Sequence, residues 1–328
     1  MSRKLLFALL IVTLFLAACG PSVTATPAPA ATQPPATEQP TATLPPTAAP
    51  ITLTDGLGRT VTLASPAQRV VSLAASLTEI LFTVGAGDQV VGRDEYSDYP
   101  EAAKNVTSIG STYQTLNTEL ILSLHPDLVV AAGLNSPEQI KALEDLEVTV
   151  YMFTNPTDFE GMYEHLHIMG QLTGHEGEAA DLVESLQKRV DAVVQKAAGA
   201  ETPKVFYEID GTDHPAKPWT SGPNTFMDAM ISMAGGINIG GVLADPWAQI
   251  SLEEIVLQDP DFIILGDTAY GVTIESVGQR SGWGELTAVK NGAIFAFDDN
   301  LASRPGPRLV DGLEALVGIL HPELVPVP

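Results

Sequence analysis

Asn117-Thr118-Glu119-Leu120-Ile121-Leu122, followed by His125-Pro126-Asp127-Leu128-Val129-Val130, recurs 134 residues later as Ser251-Leu252-Glu253-Glu254-Ile255-Val256, followed by Asp259-Pro260-Asp261-Phe262-Ile263-Ile264. Each copy reads the same way: a helix N-cap (Asn117, Ser251), a short helix, a Pro-Asp turn, then a continuous apolar strand. The second copy adds Glu254 three residues after Ser251, the pattern of a capping box. A repeat over this distance means two copies of one structural unit.

A looser match extends it. Ser76-Leu77-Thr78-Glu79-Ile80-Leu81 running on to Gly85-Ala86-Gly87 is echoed at an offset of 149 by Thr225-Phe226-Met227-Asp228-Ala229-Met230 running on to Ala234-Gly235-Gly236. Short apolar strands at Val70-Leu73, Leu128-Ala131, Thr149-Phe153, Val205-Glu208, Phe262-Leu265 and Ala293-Phe297 alternate with helical patterns, as in parallel α/β sheets. The fold class is therefore α/β, with two similar lobes whose parallel-type sheets are flanked by helices. Between the copies, Ala179, Leu182, Val183, Leu186, Val190, Val193 and Val194 keep helical spacing, and Glu184 and Lys188 form an i,i+4 pair on the other face. This predicts one long helix linking the lobes. Ahead of the first lobe, Ile51-Asp55 and Thr60-Leu63 flank Gly56-Leu57-Gly58, a hairpin pattern.

The N-terminus is of another kind. Arg3 and Lys4 precede an apolar run, Leu5 to Leu16, shorter than the roughly 20 residues of a membrane span, which reads as a signal-peptide core. It ends in Leu16-Ala17-Ala18-Cys19, which resembles the bacterial lipobox and makes Cys19 the expected lipidation site and membrane anchor. Cys19 is the single cysteine, so an intrachain disulfide is excluded. Pro, Thr, Ala and Ser then dominate to residue 50, a composition suited to an extended tether. The expected organisation is a signal peptide over 1–18, lipidated Cys19 and tether over 19–50, an N-terminal lobe over 51–170, a linking helix over 171–200 and a C-terminal lobe over 201–328. The formal charge of -24 argues against nucleic acid as a partner, since that would require a basic patch.

Other motifs dissolve on inspection. Gly85-Ala86-Gly87 follows a helical pattern, whereas a dinucleotide loop must follow a strand, so it reads as a helix C-cap and turn. The sequence has no nucleophile elbow, phosphate-binding loop or zinc-spaced Cys/His set. His165 and His167, two apart on a helix, point in different directions. These absences predict a protein that is not an enzyme and carries no resident cofactor or metal.

Arg69-Val70-Val71-Ser72-Leu73-Ala74-Ala75-Ser76-Leu77-Thr78-Glu79-Ile80, Tyr96-Ser97-Asp98-Tyr99-Pro100, Pro246-Trp247-Ala248-Gln249-Ile250-Ser251 and Ser303-Arg304-Pro305-Gly306-Pro307-Arg308 together resemble the helical-backbone class of ABC-importer binding proteins, which carry iron siderophores or vitamin B12. The similarity runs over roughly residues 51 to 325 and is greatest to the vitamin B12 binders. It implies two lobes joined by one rigid helix, a monomer, and a ligand held between the lobes by Tyr96, Tyr113, Trp247 and Arg304. The vitamin B12 binders usually carry Trp where this chain has Tyr113. It also implies docking of Glu119 and Glu253, one per lobe, onto arginines of a two-fold permease. Both sit in a first helical turn, where the helix dipole alone favours a carboxylate.

The residues add a reading of their own. Tyr113 and Trp247 differ by the same 134 as the repeats, which suits two aromatic faces opposed across a gap around a broad, partly apolar ligand such as a corrinoid or porphyrin. Trp219 and Trp283 stay open between core and cleft rim. A ferric siderophore or haem is the alternative ligand, with Tyr96 or Tyr113 as an iron ligand for haem. An extracytoplasmic α/β enzyme and a surface adhesion protein are the alternatives of other classes.

Overall fold

The computed structural model describes residues 49–324, so the expected signal peptide, Cys19 and all but the end of the tether lie outside the described residues. The first elements are the anticipated hairpin, β1 (Ile51–Thr54) antiparallel to β2 (Thr60–Leu63). Its turn is organised by Asp55, which accepts from the backbone N–H of Leu57 and Arg59 at 3.0 and 2.9 Å and pairs with the Arg59 guanidinium. Gly58 supplies the positive φ of +74°.

In the first lobe the chain runs β3 (Val70–Ser72), α1 (Ala75–Thr83), β4 (Val90–Arg93), α2 (Thr118–Ser123), β5 (Leu128–Ala131), α3 (Pro137–Glu144) and β6 (Val150–Met152). Its sheet is four-stranded and parallel throughout, in the order β4-β3-β5-β6. Next come α4 (Phe159–Thr173) and α5 (Glu176–Ala197). The second lobe follows as β7 (Lys204–Asp210), β8 (Trp219–Ser221), α6 (Phe226–Met233), β9 (Ile237–Asn238), β10 (Trp247–Gln249), α7 (Leu252–Gln258), β11 (Phe262–Leu265), α8 (Ile274–Gly278), α9 (Thr287–Lys290), β12 (Ile294–Ala296) and α10 (Leu309–Leu320).

The repeat holds at the level of single hydrogen bonds. Asn117 caps α2 by accepting from Leu120 N–H at 3.1 Å, and Ser251 caps α7 by accepting from Glu254 N–H at 3.2 Å. His125 and Asp259, equivalent residues, both end their helices with left-handed φ, 48° and 46°. In each turn the aspartate of Pro-Asp accepts from the backbone N–H that opens the lobe's first strand, Arg69 to Asp127 at 3.0 Å and Lys204 to Asp261 at 2.8 Å. The side chains of Arg69 and Lys204 then reach the equivalent helix-end carbonyls of Leu124 and Gln258.

Two expectations need correction. The capping box at Ser251 is half formed, because the Glu254 carboxylate accepts from Gln258 Nε2 at 2.8 Å instead of reaching back to the cap. The second sheet is mixed rather than parallel. Strands β9, β7, β11 and β12 repeat the parallel order of the first lobe, but β8 and β10 add an antiparallel extension. The cause is the seven-residue length of β7, whose first residues pair with β9 while Glu208 and Asp210 pair with β8 on the same edge.

The parallel strands at the centre of both sheets are buried on both faces, as continuous apolar strands require. Val71, Leu73, Val129 and Ala131 pack outward against Ile121 and Ile140, and Phe206, Ile263 and Leu265 pack outward against Ile255 and Trp283. The alternate residues, Val70, Leu128 and Val130 in one lobe and Val205, Tyr207 and Ile264 in the other, belong to one continuous central core. Helix α5 supplies part of that core through Ala179, Val183, Leu186, Val190 and Val193, each Val or Leu worth roughly 1.5–3 kcal/mol on burial. It packs against α4 and α10, and Arg189 fastens it to Asp311 and Glu314 of α10 at 2.6 and 2.7 Å.

Candidate functional site

In open α/β sheets ligands bind beyond the carboxyl ends of the strands, and loops carry three of the expected residues, Tyr96, Tyr113 and Arg304. After β4, Asp94 is buried and accepts from Tyr96 N–H at 3.1 Å and from the Ser97 hydroxyl. Ser97 is joined to Thr78 at 2.7 Å, and Thr78 donates to Ser72 at 2.9 Å. This buried hydroxyl chain fixes the loop that presents Tyr96, Asp98 and Tyr99. Burial pushes the Asp94 carboxyl up, against the Ser97 and Tyr96 bonds and the charges of Arg304 and Arg93.

Tyr96 and Tyr113 form an edge-to-face pair, ring centroids 5.4 Å apart, and both rings remain open to solvent, 48% and 67% exposed. Partial burial, then Asp94, Tyr96 and Tyr270, raise the Tyr113 phenol above the ordinary value, with Arg304 opposing. Tyr270 and Arg304 belong to the second lobe, so Tyr113 lies within electrostatic reach of groups across the cleft.

The segment between β12 and α10 ties the lobes together. Arg304 reaches Asp98 at 2.5 Å, and although burial raises that carboxyl, the hydrogen bond and charge of Arg304 outweigh it and hold Asp98 below the ordinary range. Four residues on, Arg308 donates to Glu79 of α1 at 2.8 Å and stacks 3.8 Å above the ring of Tyr99. Arg308, Glu79 and Tyr99 were not anticipated as a unit. Their signal was Glu79 itself, the one charged residue of α1, which a buried position forces into partnership.

On the second lobe, Trp247 sits on edge strand β10, 41% exposed, with Phe226 at 5.7 Å. Its sequence equivalent Tyr113 lies in a loop, so the two are held differently. The register of β8 and β10 puts Trp219 on the same sheet face, also exposed. Trp283 is fully buried against Phe206 and lies under Arg280, which assigns it to the core. Tyr270, 78% exposed, stands at the lip of a recess of about 440 Å³ beyond the ends of β11 and β12. Sequence reasoning missed it, although its place just past the end of a repeat strand was the available signal.

Beneath this recess Glu208 and Arg280 make a buried bidentate pair at 2.5 and 2.7 Å. Burial, helped by adjacent Asp267 and opposed by Arg280, pushes the Glu208 carboxyl up to about 7. Glu119 and Glu253 are exposed in the first turns of α2 and α7. His165 packs its buried ring 5.0 Å from Phe153 while His167 is exposed. Among the described residues no group of three His, Cys, Asp or Glu is arranged to hold a metal, and no helix is long and apolar enough to cross a membrane.

Residues 70–301 match the family model described as periplasmic binding protein. The chain belongs to that family. Among curated relatives, an uncharacterized ABC transporter substrate-binding lipoprotein of Bacillus subtilis is 33% identical over 84% of this chain and 86% of its own length. A cobalamin-binding protein of Halobacterium salinarum is 30% identical over 83% of this chain and 74% of its own. The haem-binding protein RhuT of Roseiflexus superposes with a TM-score of 0.70 at 27% identity, over 80% of this chain and all of that one. The family is one of binding proteins for transport rather than of enzymes.

Proposed function

We propose that the protein captures a corrinoid between its lobes and hands it to the permease of an ABC importer. The observation that carries this reading is the pairing of exposed aromatic rings at the two rims, Tyr96 with Tyr113 on one lobe and Trp247 with Phe226 beneath it on the other. Such surfaces suit a broad macrocycle, with Arg304 among the polar groups that orient it. The cobalamin-binding relative supports the choice of ring. Haem is the second reading, favoured by the RhuT superposition. Tyr96 or Tyr113 would then supply the iron ligand.

Delivery rests on Glu119 and Glu253. They stand at equivalent places in a pseudo-symmetric protein, so they offer two matched carboxylates to the arginines of a two-fold permease. Lipidation of Cys19 and the tether over 19–50 would hold a monomeric protein outside the cytoplasmic membrane, near that permease.

The test is a titration of the purified protein with cyanocobalamin, cobinamide, haem and a ferric siderophore, followed by tryptophan fluorescence. Saturable corrinoid binding that quenches Trp247 is the expected result. Binding of haem or siderophore alone would overturn the corrinoid assignment.

A further inference from the structure

The guanidinium groups beside the cleft are paired with the protein's own carboxylates, Arg280 and Arg308 with fully buried ones and Arg304, through one nitrogen, with the half-exposed Asp98. Arg304 is held by Asp98 at 2.5 Å, Arg308 by Glu79 at 2.8 Å, and Arg280 by both oxygens of Glu208. A ligand carboxylate or catecholate normally recruits this same bidentate donor set. Here it would have to displace a carboxylate that is itself part of the fold, and Glu79 and Glu208 are too deeply buried to be left without a cation.

The recesses add an independent observation. The one under Tyr270 is lined by Thr268, Asn300, Asp298 and Asp299, and no Lys, Arg or His lines it. Its depth depends on Gly266, where an added Cβ would lie 2.7 Å from the Tyr207 hydroxyl and 2.9 Å from Asp299. The recess beside Tyr113, about 580 Å³, is lined by hydroxyl and amide side chains, Glu138 and the apolar Leu116, Leu134 and Ala142, again without a basic group.

We infer that the cleft selects against negative charge, and that its ligand is a neutral or cationic chelate edged with carboxamides rather than carboxylates. This rests on the cleft assignment above and narrows it. A carboxamide can donate to Asp298 and Asp299 and accept from Thr268, Tyr270 or Asn300. A propionate or catecholate meets like charge there, and must compete with Asp98 for Arg304.

The experiment compares ligands that share a ring and differ in charge, at about 0.15 M salt, where screening over about 8 Å removes the chain's general acidity. One pair is cobinamide against cobyrinic acid, whose side chains are carboxylates. The other is a tetracationic N-methylpyridyl porphyrin against a tetrasulfonated one. Cobinamide is expected to bind at least about tenfold tighter than cobyrinic acid, about 1.4 kcal/mol. D98N, which frees Arg304, and D298N should each shrink that ratio. Equal or reversed affinities, or a ratio unmoved by both variants, overturn the inference while leaving corrinoid capture standing. If neither corrinoid binds, corrinoid capture fails and the porphyrins decide: preference for the cation supports charge selection, and preference for the anion or no binding overturns it.

Discussion

Glu79 and Arg308, 229 residues apart, meet in an ion pair of 2.8 Å that joins helix α1 of one lobe to the segment leading into α10 of the other. Glu79 is 1% exposed, and burial raises its carboxyl in spite of the guanidinium. Together with Arg304 and Asp98 the pair clasps the lobes beside the cleft, while α5 joins them behind. Replacing Arg308 with Met keeps the stem over Tyr99 but strands the carboxylate. It is expected to cost about 3–5 kcal/mol in urea denaturation, most of which the double variant with Glu79→Leu should recover. A single-variant loss below about 1 kcal/mol would mean that the pair behaves as a surface one.

The two well-placed tryptophans of the second lobe separate function from packing. Trp247→Ala removes a ring that is 41% exposed and should weaken ligand binding by about 2 kcal/mol, roughly thirtyfold, with little change in unfolding of the free protein. Trp283→Ala empties a fully buried site and should cost about 3–5 kcal/mol of stability. Parallel titrations and thermal melts test both, and a large stability loss at Trp247 would assign that ring to the core.

The duplicated turns give a matched pair of experiments. Asp127 and Asp261 each hold the opening strand of their lobe through the equivalent backbone N–H, and Asp127 accepts from Gln68 N–H as well. Alanine at either is expected to cost about 0.5–1.5 kcal/mol, the net worth of a hydrogen bond whose donor water can reach. Urea midpoints should fall by similar amounts, whereas a strong asymmetry would mean that the lobes do not share one turn mechanism.

These turns also explain how much of the fold was legible. Cap, short helix, Pro-Asp and apolar strand are local signals, each set by residues within a few positions, so their recurrence exposed both lobes and the strand ends that border the candidate site. The hydrophobic stripe of α5 was equally local. The antiparallel extension of the second sheet was not, because it depends on β7 being long enough to serve two partners on one edge. Likewise Arg308 finds Glu79 only once the lobes are assembled, and Tyr270 gains meaning only from the recess it borders. Tyr113 and Trp247 were matched by spacing, yet one rests in a loop and the other on a strand.

Docking is tested apart from binding. Glu119→Lys with Glu253→Lys reverses two exposed charges in first helical turns, so a modest loss of helix-dipole stabilisation, about 0.3–1 kcal/mol per site, is expected along with unchanged ligand affinity. Cellular uptake of the ligand should fall severely. Unchanged uptake would count against the carboxylates as contacts for the permease.

The buried ionisable groups set opposing slopes in the dependence of stability on pH. Glu208 titrates near about 7 in the folded protein against an ordinary 4.5, because burial outweighs Arg280. Its contribution is complete below 4.5 and is lost as pH rises to about 7, roughly 3 kcal/mol in all. His165 is depressed by burial from 6.5 to about 4, so its contribution of roughly 3 kcal/mol is complete above 6.5 and is lost as pH falls. Between pH 4.5 and 6.5 the two nearly cancel, and raised Glu79, Asp94 and Asp267 tilt the balance toward greater stability in mild acid. Thermal melts across this range should separate them. Glu208→Gln lessens the gain in mild acid and lets His165 dominate, so its midpoint should fall relative to wild type as pH drops. His165→Phe keeps an aromatic ring against Phe153 and removes the titration, so its midpoint should rise relative to wild type over the same range. Parallel curves for the two variants would show that neither group carries a proton linkage to folding.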